Sequence, residues 1–436
     1  MAILAWNFNS PIIGNPMKKY TALPATSLFT ASWVGAVTAQ AELDFYKKEL
    51  SAFPIENTRE HRAYAQALAD RLGTWTAQHP TDANVQDALL MQTRLYLRAQ
   101  EPGAAVVTLF KLRRQFPTIS LNAIEPLLTQ AAQQGLSPDS RQEATKLFSA
   151  PLPAQTTSLE QRQAETLYQL SKLSGRSFYA PAQAAFENFF VQYPTYEKNN
   201  EIELWYGDLH RMNGNYWAAI SQYKRAGDLY EDAPYKAASL RLIGDIYADN
   251  LKDTATATQM YTRVLNEFPN SSEIGTVYKH MAILDENNKQ YESALINYEK
   301  AIELLGTTPT AYEAYTGKAD VMEKNKDFEG AYKLFIQTGD LFKAQPQKAA
   351  GAYEEAAEVA YKRLRDNVRY TQALEKALLV YPANPDGAKL MYNLGISYEK
   401  QGKGTQALAT YKKLVLKYPA DKYANKAQGR ISKLTK

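Results

Sequence analysis

Apolar residues recur along this chain at the three- and four-residue spacing of helices, most clearly in the segment 389–419. There Leu394 and Tyr398 share one helical face, and Tyr411 and Leu414 share a second face after a glycine-containing turn. A proline ends the second helix, because proline lacks the N–H that the helix would need. The pattern predicts a pair of short helices that must bury their apolar faces against further copies of the same unit.

The same unit recurs through most of the chain at steps of 37 to 39 residues. Its marker is one position in the second helix, usually alanine, and a bulky apolar residue follows four positions later in nearly every copy. The ten markers are Leu68, Ala105, Ala144, Ala182, Ala219, Ala257, Ala294, Ala331, Tyr370 and Ala407. The copies at Ala144 and Tyr370 depart from the pattern, so we expect them to pack less regularly than the others.

Two further positions repeat with the marker. The first helix carries a small residue, which is expected where two helices cross closely. This position holds Gly207, Gly244, Ala282, Ala319 and Gly395 in five repeats, and Glu358 is the exception. Six units have a proline twelve residues after the marker, and in five of them an aromatic residue precedes that proline, as in Tyr418-Pro419.

This small–small–aromatic–proline pattern resembles the tetratricopeptide repeat (TPR) family, specifically over about 200–420 and more weakly from about 60 to 200. The resemblance implies an all-α fold: an α-solenoid of about nine to ten TPR-like helix hairpins with a period of about 37 residues. The long period and the Tyr-Pro or Phe-Pro ends look most like TPR proteins of bacterial cell envelopes. Examples are the Tol-Pal-associated periplasmic protein and the TPR component of the outer-membrane β-barrel assembly machinery.

The first 41 residues fit no repeat. From Met17 the chain reads like a secretory signal, with two lysines, a small-residue-rich middle at 20–37 and an A-x-A cleavage site before Glu42. We therefore interpret 1–41 as a mis-assigned start followed by a signal peptide, Met17–Ala41, and expect a periplasmic location. The alternatives are a start at Met1, and an arm that is disordered or touches a membrane.

Cysteine is absent from the sequence, which excludes disulfides and thiolate metal sites and leads us to expect no lipid anchor. The mature chain is predicted to contain an N-terminal degenerate helical region, 42–150, and a TPR solenoid, 159–436. The segment 149–158 between them is rich in proline, threonine and serine, and forms either a hinge or a long turn. Because no run of about 18 apolar residues occurs, no transmembrane segment is expected.

Patterns that carry catalysis or ligand binding are missing from the sequence. No two of the four histidines stand four residues apart, and the phosphate-binding and nucleophile motifs rich in glycine do not occur. We therefore expect no enzyme activity, no cofactor, no metal and no nucleic acid. Carboxylates such as Glu354, Glu355 and Glu358 are interpreted as solvent-facing charge. An enzyme acting on the cell wall through the region 120–160 is the less favoured alternative.

The resemblance implies that the first helices line an inner groove that holds partner segments. The predicted groove residues are Leu204, Asp208, Arg211, Arg241, Asp245, Lys279, Ile283, Tyr392 and Ile396. The asparagines of a carboxylate clamp are missing, so no clamp of that kind is expected. The final segment 389–436 has eleven lysines and arginines against two acidic residues, which suits either an anionic partner or simple solvation.

The sequence therefore predicts a non-enzymatic protein–protein interaction scaffold of the bacterial cell envelope that binds peptide or helix segments of other envelope proteins. The alternative is an assembly factor for a secretion, pilus or motility complex. The identity of the partner and the oligomeric state stay open at this stage.

Overall fold

The computed structural model describes residues 38–53, 58–154, 157–229 and 233–435 of this chain. Within these ranges it consists of helices and connecting turns, without strands, so the predicted all-α fold is confirmed. The predicted start and almost all of the predicted signal peptide fall at 1–37, outside the described residues.

The helices in chain order are α1 (Ala39–Ser51), α2 (Arg59–Gln78), α3 (Val85–Ala99), α4 (Pro102–Gln115), α5 (Leu121–Gln133), α6 (Pro138–Ser149), α7 (Leu159–Leu170), α8 (Arg176–Gln192), α9 (Asn199–Met212), α10 (Tyr216–Leu229), α11 (Ala233–Asp249), α12 (Thr254–Glu267), α13 (Ile274–Asn287), α14 (Tyr291–Leu305), α15 (Pro309–Lys324), α16 (Phe328–Leu341), α17 (Pro346–Val359), α18 (Asn367–Val380), α19 (Gly387–Lys400), α20 (Gly404–Lys417) and α21 (Lys422–Leu434). A π-helical turn, Ala360–Leu364, extends α17.

The ten markers all lie in even-numbered helices, from Leu68 in α2 to Ala407 in α20. Nine of them are buried, and only Tyr370 is half-buried. Most helices pack on their neighbours in chain order, as α13 does on α14 and α20 on α21. The predicted α-solenoid is therefore confirmed: within the described residues, helix pairs stack regularly from α7/α8 to α19/α20, and a final helix, α21, covers the last pair.

The aromatic–proline pairs end helices as their chemistry dictates. The N–H of Tyr418 still donates to the carbonyl of Leu414 at 2.9 Å, and Pro419 directly after it has no N–H to continue the helix. Helices α4, α8, α12 and α18 end in the same way on an aromatic residue. Each of these even-numbered helices therefore stops at the same point of its repeat.

The repeat around Ala144 is displaced from the regular stack. Helix α4 packs on α5 and also directly on α7 and α8, whereas α6 makes its principal described packing contact with α4. One buried cluster accordingly joins Ala105 of α4 to Phe186 of α8, across the segment 149–158. The core is therefore continuous where the sequence predicted a linker.

Two arginines of α4 bind the segment 149–158 and its neighbours through hydrogen bonds. Arg113 donates to the carbonyl of Phe148 at 2.8 Å, and Arg114 donates to the carbonyl of Pro151 at 2.7 Å. Arg114 also pairs with Glu165 of α7 at 3.3 Å. These contacts favour the long turn over the hinge, while the division of the chain into two helical regions stays a prediction.

The repeat around Tyr370 departs in a different way. Glu358 is exposed, and its neighbour Ala357 is buried in the cluster that contains Leu374 of α18. The π-helical turn holds one residue more than a regular turn would, so the small position of α17 moves back by one. Assigning Glu358 to that position was therefore wrong, and Ala357 occupies it.

Candidate binding groove

The odd-numbered helices line the inner side of the stack. From α7 to α17 each odd-numbered helix packs against the next one, and α19 packs against α21. Among the described residues, even-numbered helices from α8 onward do not pack with the next even-numbered helix to a comparable extent. The stack therefore curves toward its odd-numbered helices, which carry all nine predicted groove residues.

On α9, the predicted residues are held by contacts within their own repeat. Leu204 packs half-buried against the cluster around Tyr223. Asp208 accepts a hydrogen bond from the Tyr223 hydroxyl at 2.7 Å and pairs with Arg211 at 3.3 Å. The charge of Asp208 is thus already partly compensated by the protein itself.

On α11 and α13, the charged predicted residues form a half-buried network. Asp245 accepts from Arg241 at 2.5 Å and lies 2.5 Å from Nδ1 of His280. These hydrogen bonds and charges hold the pKa of Asp245 below its usual value against the opposing effect of burial. Arg241 also pairs with Glu273, which ties α11 to α13. This network joins two neighbouring repeats.

The two predicted groove residues of α13 differ in their exposure. The Lys279 amine pairs with Glu313 of α15 at 2.6 Å, and its side chain is only 9% exposed. Ile283 is exposed on the same helix. Lys279 therefore joins α13 to α15, and Ile283 is the one of the two that offers apolar surface.

On α19, Tyr392 and Ile396 are half-buried at the edge of the C-terminal core. The Tyr392 ring lies 5.9 Å from that of Tyr411 and 5.5 Å from that of Tyr423, so it packs between α20 and α21. Ile396, by contrast, lines an open groove.

That groove lies between α17 and α19. In the described part of the stack from α7 to α21, these two helices pack less closely on each other than any other two successive odd-numbered helices do. The space between them measures about 380 Å³ and has α18 as its floor. The bulky Tyr370 stands on that floor where most other repeats have alanine, and the π-helical turn lies beside it. We call this space the α17–α19 groove.

One wall of the α17–α19 groove is acidic. Glu354, Glu355 and Glu358 line it from α17. Burial raises the pKa of Glu354, although a 2.8 Å hydrogen bond from Asn384 opposes the shift. Burial and then the charge of Glu358 raise the pKa of Glu355. The raised pKa values show that Glu354 and Glu355 lack full compensation by the protein, whereas Glu358 pairs with Lys362, which also lines the groove.

The opposite wall is basic. Lys389 and Lys400 line it from α19, together with Asn393. The Lys400 amine lies 5.0 Å from the ring centre of Tyr361 across the groove, and the Tyr361 ring lies 5.0 Å from that of Tyr370. The groove thus offers carboxylates, amines, two amides and two aromatic rings to a segment laid along it.

Of these residues, the sequence reasoning found only Ile396. It assigned the α17 carboxylates to solvent and did not single out the amines of α19. Spacing alone would have placed Glu354 and Lys389 on first helices, but only the packing shows that these two helices stand apart. Elsewhere in the described ranges, no three His, Asp or Glu side chains cluster in a way that could hold a metal ion.

A family model described as tetratricopeptide repeat matches the chain at residues 238–271 and 389–421. These two segments of the chain are similar to the tetratricopeptide repeat. The first match covers most of α11 and α12, which carry the Asp245 network, and the second covers α19 and α20, which include the basic wall of the groove. A comparison with curated protein sequences gives no match.

Solved TPR structures align with this chain loosely. The C-terminal part of a TPR repeat-containing protein from Cytophaga hutchinsonii is 21% identical, with 58% of this chain and 95% of that chain covered and a TM-score of 0.39. A tetratricopeptide repeat protein from Parabacteroides merdae is 16% identical, with 64% and 99% covered and a TM-score of 0.37.

PilW, described as a widely conserved type IV pilus biogenesis factor, is 17% identical to this chain, with 53% of this chain and 100% of that chain covered and a TM-score of 0.36. Alignments this loose carry no functional information about the present chain. Within the described ranges, the helices of this chain are all too short or too polar to cross a membrane.

Proposed function

We propose that this protein is a non-enzymatic scaffold that binds a segment of another protein in the α17–α19 groove. The observation that carries the proposal is the separation of α17 from α19, which leaves about 380 Å³ of space lined by charged, amide and aromatic side chains. Tyrosine, which the groove presents at Tyr361 and Tyr370, is among the side chains that contribute most to protein recognition.

The charges of the two walls select the partner segment. An extended segment would place basic residues toward Glu355 and Glu358 and acidic residues toward Lys389 and Lys400. Its apolar side chains would rest on Ile396 and Tyr370. The other predicted groove residues on α9, α11 and α13 extend the proposed surface along the inner side, with Ile283 as its exposed apolar point.

The second part of the proposal concerns location: this scaffold is a periplasmic protein of the bacterial envelope, and its partners are other envelope proteins. It rests on the signal-like sequence from Met17 to Ala41. N-terminal sequencing of the protein from its native cells tests it: a mature chain that begins at Glu42 supports export, and a chain retaining Met17–Ala41 in the cytoplasm contradicts it.

Site-specific photocrosslinking in the native cells tests the groove. A photoreactive amino acid at position 396 should give a discrete adduct with one partner. The same residue at 416 should not, because Leu416 is 85% exposed on the even-numbered helix α20. Equal adducts at both positions, or none at 396, contradict the proposal.

Charge substitutions then test the acidic wall of the groove in binding measurements with this protein and its purified partner. The double variant E355Q/E358Q should weaken partner binding by about tenfold, in keeping with the loss of two charge pairs. The control E303Q changes an exposed carboxylate on the even-numbered helix α14 and should leave the affinity unchanged. The identity of the captured protein separates a general envelope scaffold from an assembly factor for a secretion, pilus or motility complex.

A further inference from the structure

A narrow cleft lies where α2, α4, α7 and α8 meet, at the junction of the displaced repeat with the regular stack. It offers about 40 Å³ to a small solute. A single water needs about 10–15 Å³ by the same kind of measure, so the cleft has room for one small ion together with a water.

About half of the residues that line this cleft are polar, and one of their side-chain groups lacks a hydrogen-bond partner among the described residues. Lys111 and Gln115 of α4, Gln163 of α7 and Gln192 of α8 line it. Gln115 is only 6% exposed, and Nε2 of Gln192 is fully buried with no hydrogen-bond acceptor among the described residues. Buried amide groups are normally hydrogen-bonded, so the unpaired Nε2 of Gln192 points to a ligand or water that binds beside it.

The cleft contains a basic side chain but no acidic one among its described lining residues. Of its described lining residues, Lys111 is the only ionisable one, and no carboxylate faces it there. Burial lowers the pKa of Lys111, because the surrounding protein solvates its ammonium form poorly. An anion beside the amine would supply the missing countercharge, and the amide N–H groups would complete its hydrogen bonds.

We propose that this cleft binds one small monovalent anion of the halide class, held by Nζ of Lys111 and Nε2 of Gln192. The anion joins α4 of the N-terminal region to α8 of the regular stack, and it thereby stabilises their junction. The site is separate in sequence and in the fold from the α17–α19 groove, so it stands or falls independently of the proposed function.

Bromide is the probe, because it scatters anomalously and substitutes for chloride. Crystals of the full chain grown in sodium bromide should show an anomalous peak within hydrogen-bond distance of Lys111 Nζ. In solution, the melting temperature in sodium bromide should exceed that in sodium gluconate of equal ionic strength by about 1–3 °C, in a saturable manner.

Two variants complete the test. K111M should lose the bromide dependence of melting, whereas K318M should keep it. Lys318 is a fair control because burial lowers its pKa too, but it pairs with Glu299. The absence of a peak near Lys111 together with equal melting in the two salts would overturn the proposal. So would a peak or a bromide dependence that persists in K111M.

Discussion

Gly244 lies directly under the aromatic ring of Tyr261. A Cβ added at position 244 would stand 2.6 Å from Cε1 of that ring, which is only 1% exposed. The Tyr261 hydroxyl donates to Asp245, the residue after the glycine, at 2.8 Å. The same arrangement of glycine, ring and carboxylate recurs at Gly207, Tyr223 and Asp208. It holds the two helices of a repeat together at a fixed separation.

The substitution G244A should therefore destabilise the protein. The added methyl group has to displace a buried ring that is fixed by its hydrogen bond to Asp245, and overpacking of this kind costs about 1–3 kcal/mol. The loss is measured as a lower denaturation midpoint in urea at an unchanged slope.

The matched control for this substitution is G429A. Gly429 is exposed within α21, and a Cβ there would meet nothing within 4 Å. Alanine should stabilise that helix by up to about 1 kcal/mol, because it has the better helix propensity. Equal effects of the two substitutions would refute the close approach of Tyr261 to Gly244.

The marker position itself is tested by A294R. Ala294 is 0% exposed and belongs to the cluster around Tyr298. Arginine there forces both volume and an unpaired charge into the helix contact, so we expect a loss of several kcal/mol. The control I296R changes a side chain on the same helix that is 58% exposed, and it should leave the melting temperature nearly unchanged. Unchanged melting of A294R would show that the repeat register is wrong.

Asp320 should make the protein less stable as the pH rises. Burial, and then the charges of Glu355 and Glu286, raise the pKa of this α15 residue to about 6. In the unfolded chain its pKa is near 3.9, so the folded state holds the proton more tightly between these values. Wild-type stability should consequently fall between about pH 4 and pH 7 relative to that of D320N.

At pH 7 the variant D320N should melt at a higher temperature than the wild type, and below about pH 4 the two should melt alike. Urea unfolding at several pH values measures the difference. A constant difference across this range, or a destabilised variant at pH 7, would show that the carboxyl of Asp320 is not protonated more readily in the folded state.

His210 should produce the opposite pH dependence. It is 6% exposed on α9, and its Nδ1 lies 2.7 Å from the hydroxyl of Tyr179. Burial lowers the pKa of His210 below its usual 6.5, against a smaller opposing effect of Glu187. The unfolded chain therefore binds the proton more readily, and stability is lost as the pH falls below about 6.5.

The variant H210Q keeps a hydrogen-bonding side chain at this position but takes up no proton. Its stability relative to the wild type should therefore improve steadily from pH 7 to pH 5, as unfolding titrations at each pH would show. A pH-independent difference between H210Q and the wild type would mean that His210 is free to become charged in the folded protein.

Much of the fold follows from spacing in the sequence. The markers from Leu68 to Ala407 fall in successive even-numbered helices, and the aromatic–proline pairs fall at helix ends. These features are local: a residue periodicity fixes which side of a helix is apolar, and a proline stops a helix wherever it stands. The pattern could therefore be extended from one unit to ten.

The sequence also indicated the two irregular repeats, at Ala144 and Tyr370, but it did not predict how they change the packing of neighbouring helices. Around Ala144, α4 packs straight onto α7 and α8, and a cleft around Lys111 arises at the junction. Around Tyr370, one extra residue in a π-helical turn shifts α17 by one position and a groove opens beside α19.

The sequence by itself determined the helices, their phase and their stacking order, because each depends on residues a few positions apart. Only the tertiary structure decided where neighbouring repeats separate and which charges remain uncompensated. Those outcomes depend on how side chains from three or four helices share one space, as Glu355 of α17, Tyr370 of α18 and Lys389 of α19 do. No spacing along the chain specifies that sharing, since the residues concerned belong to three different helices of two repeats.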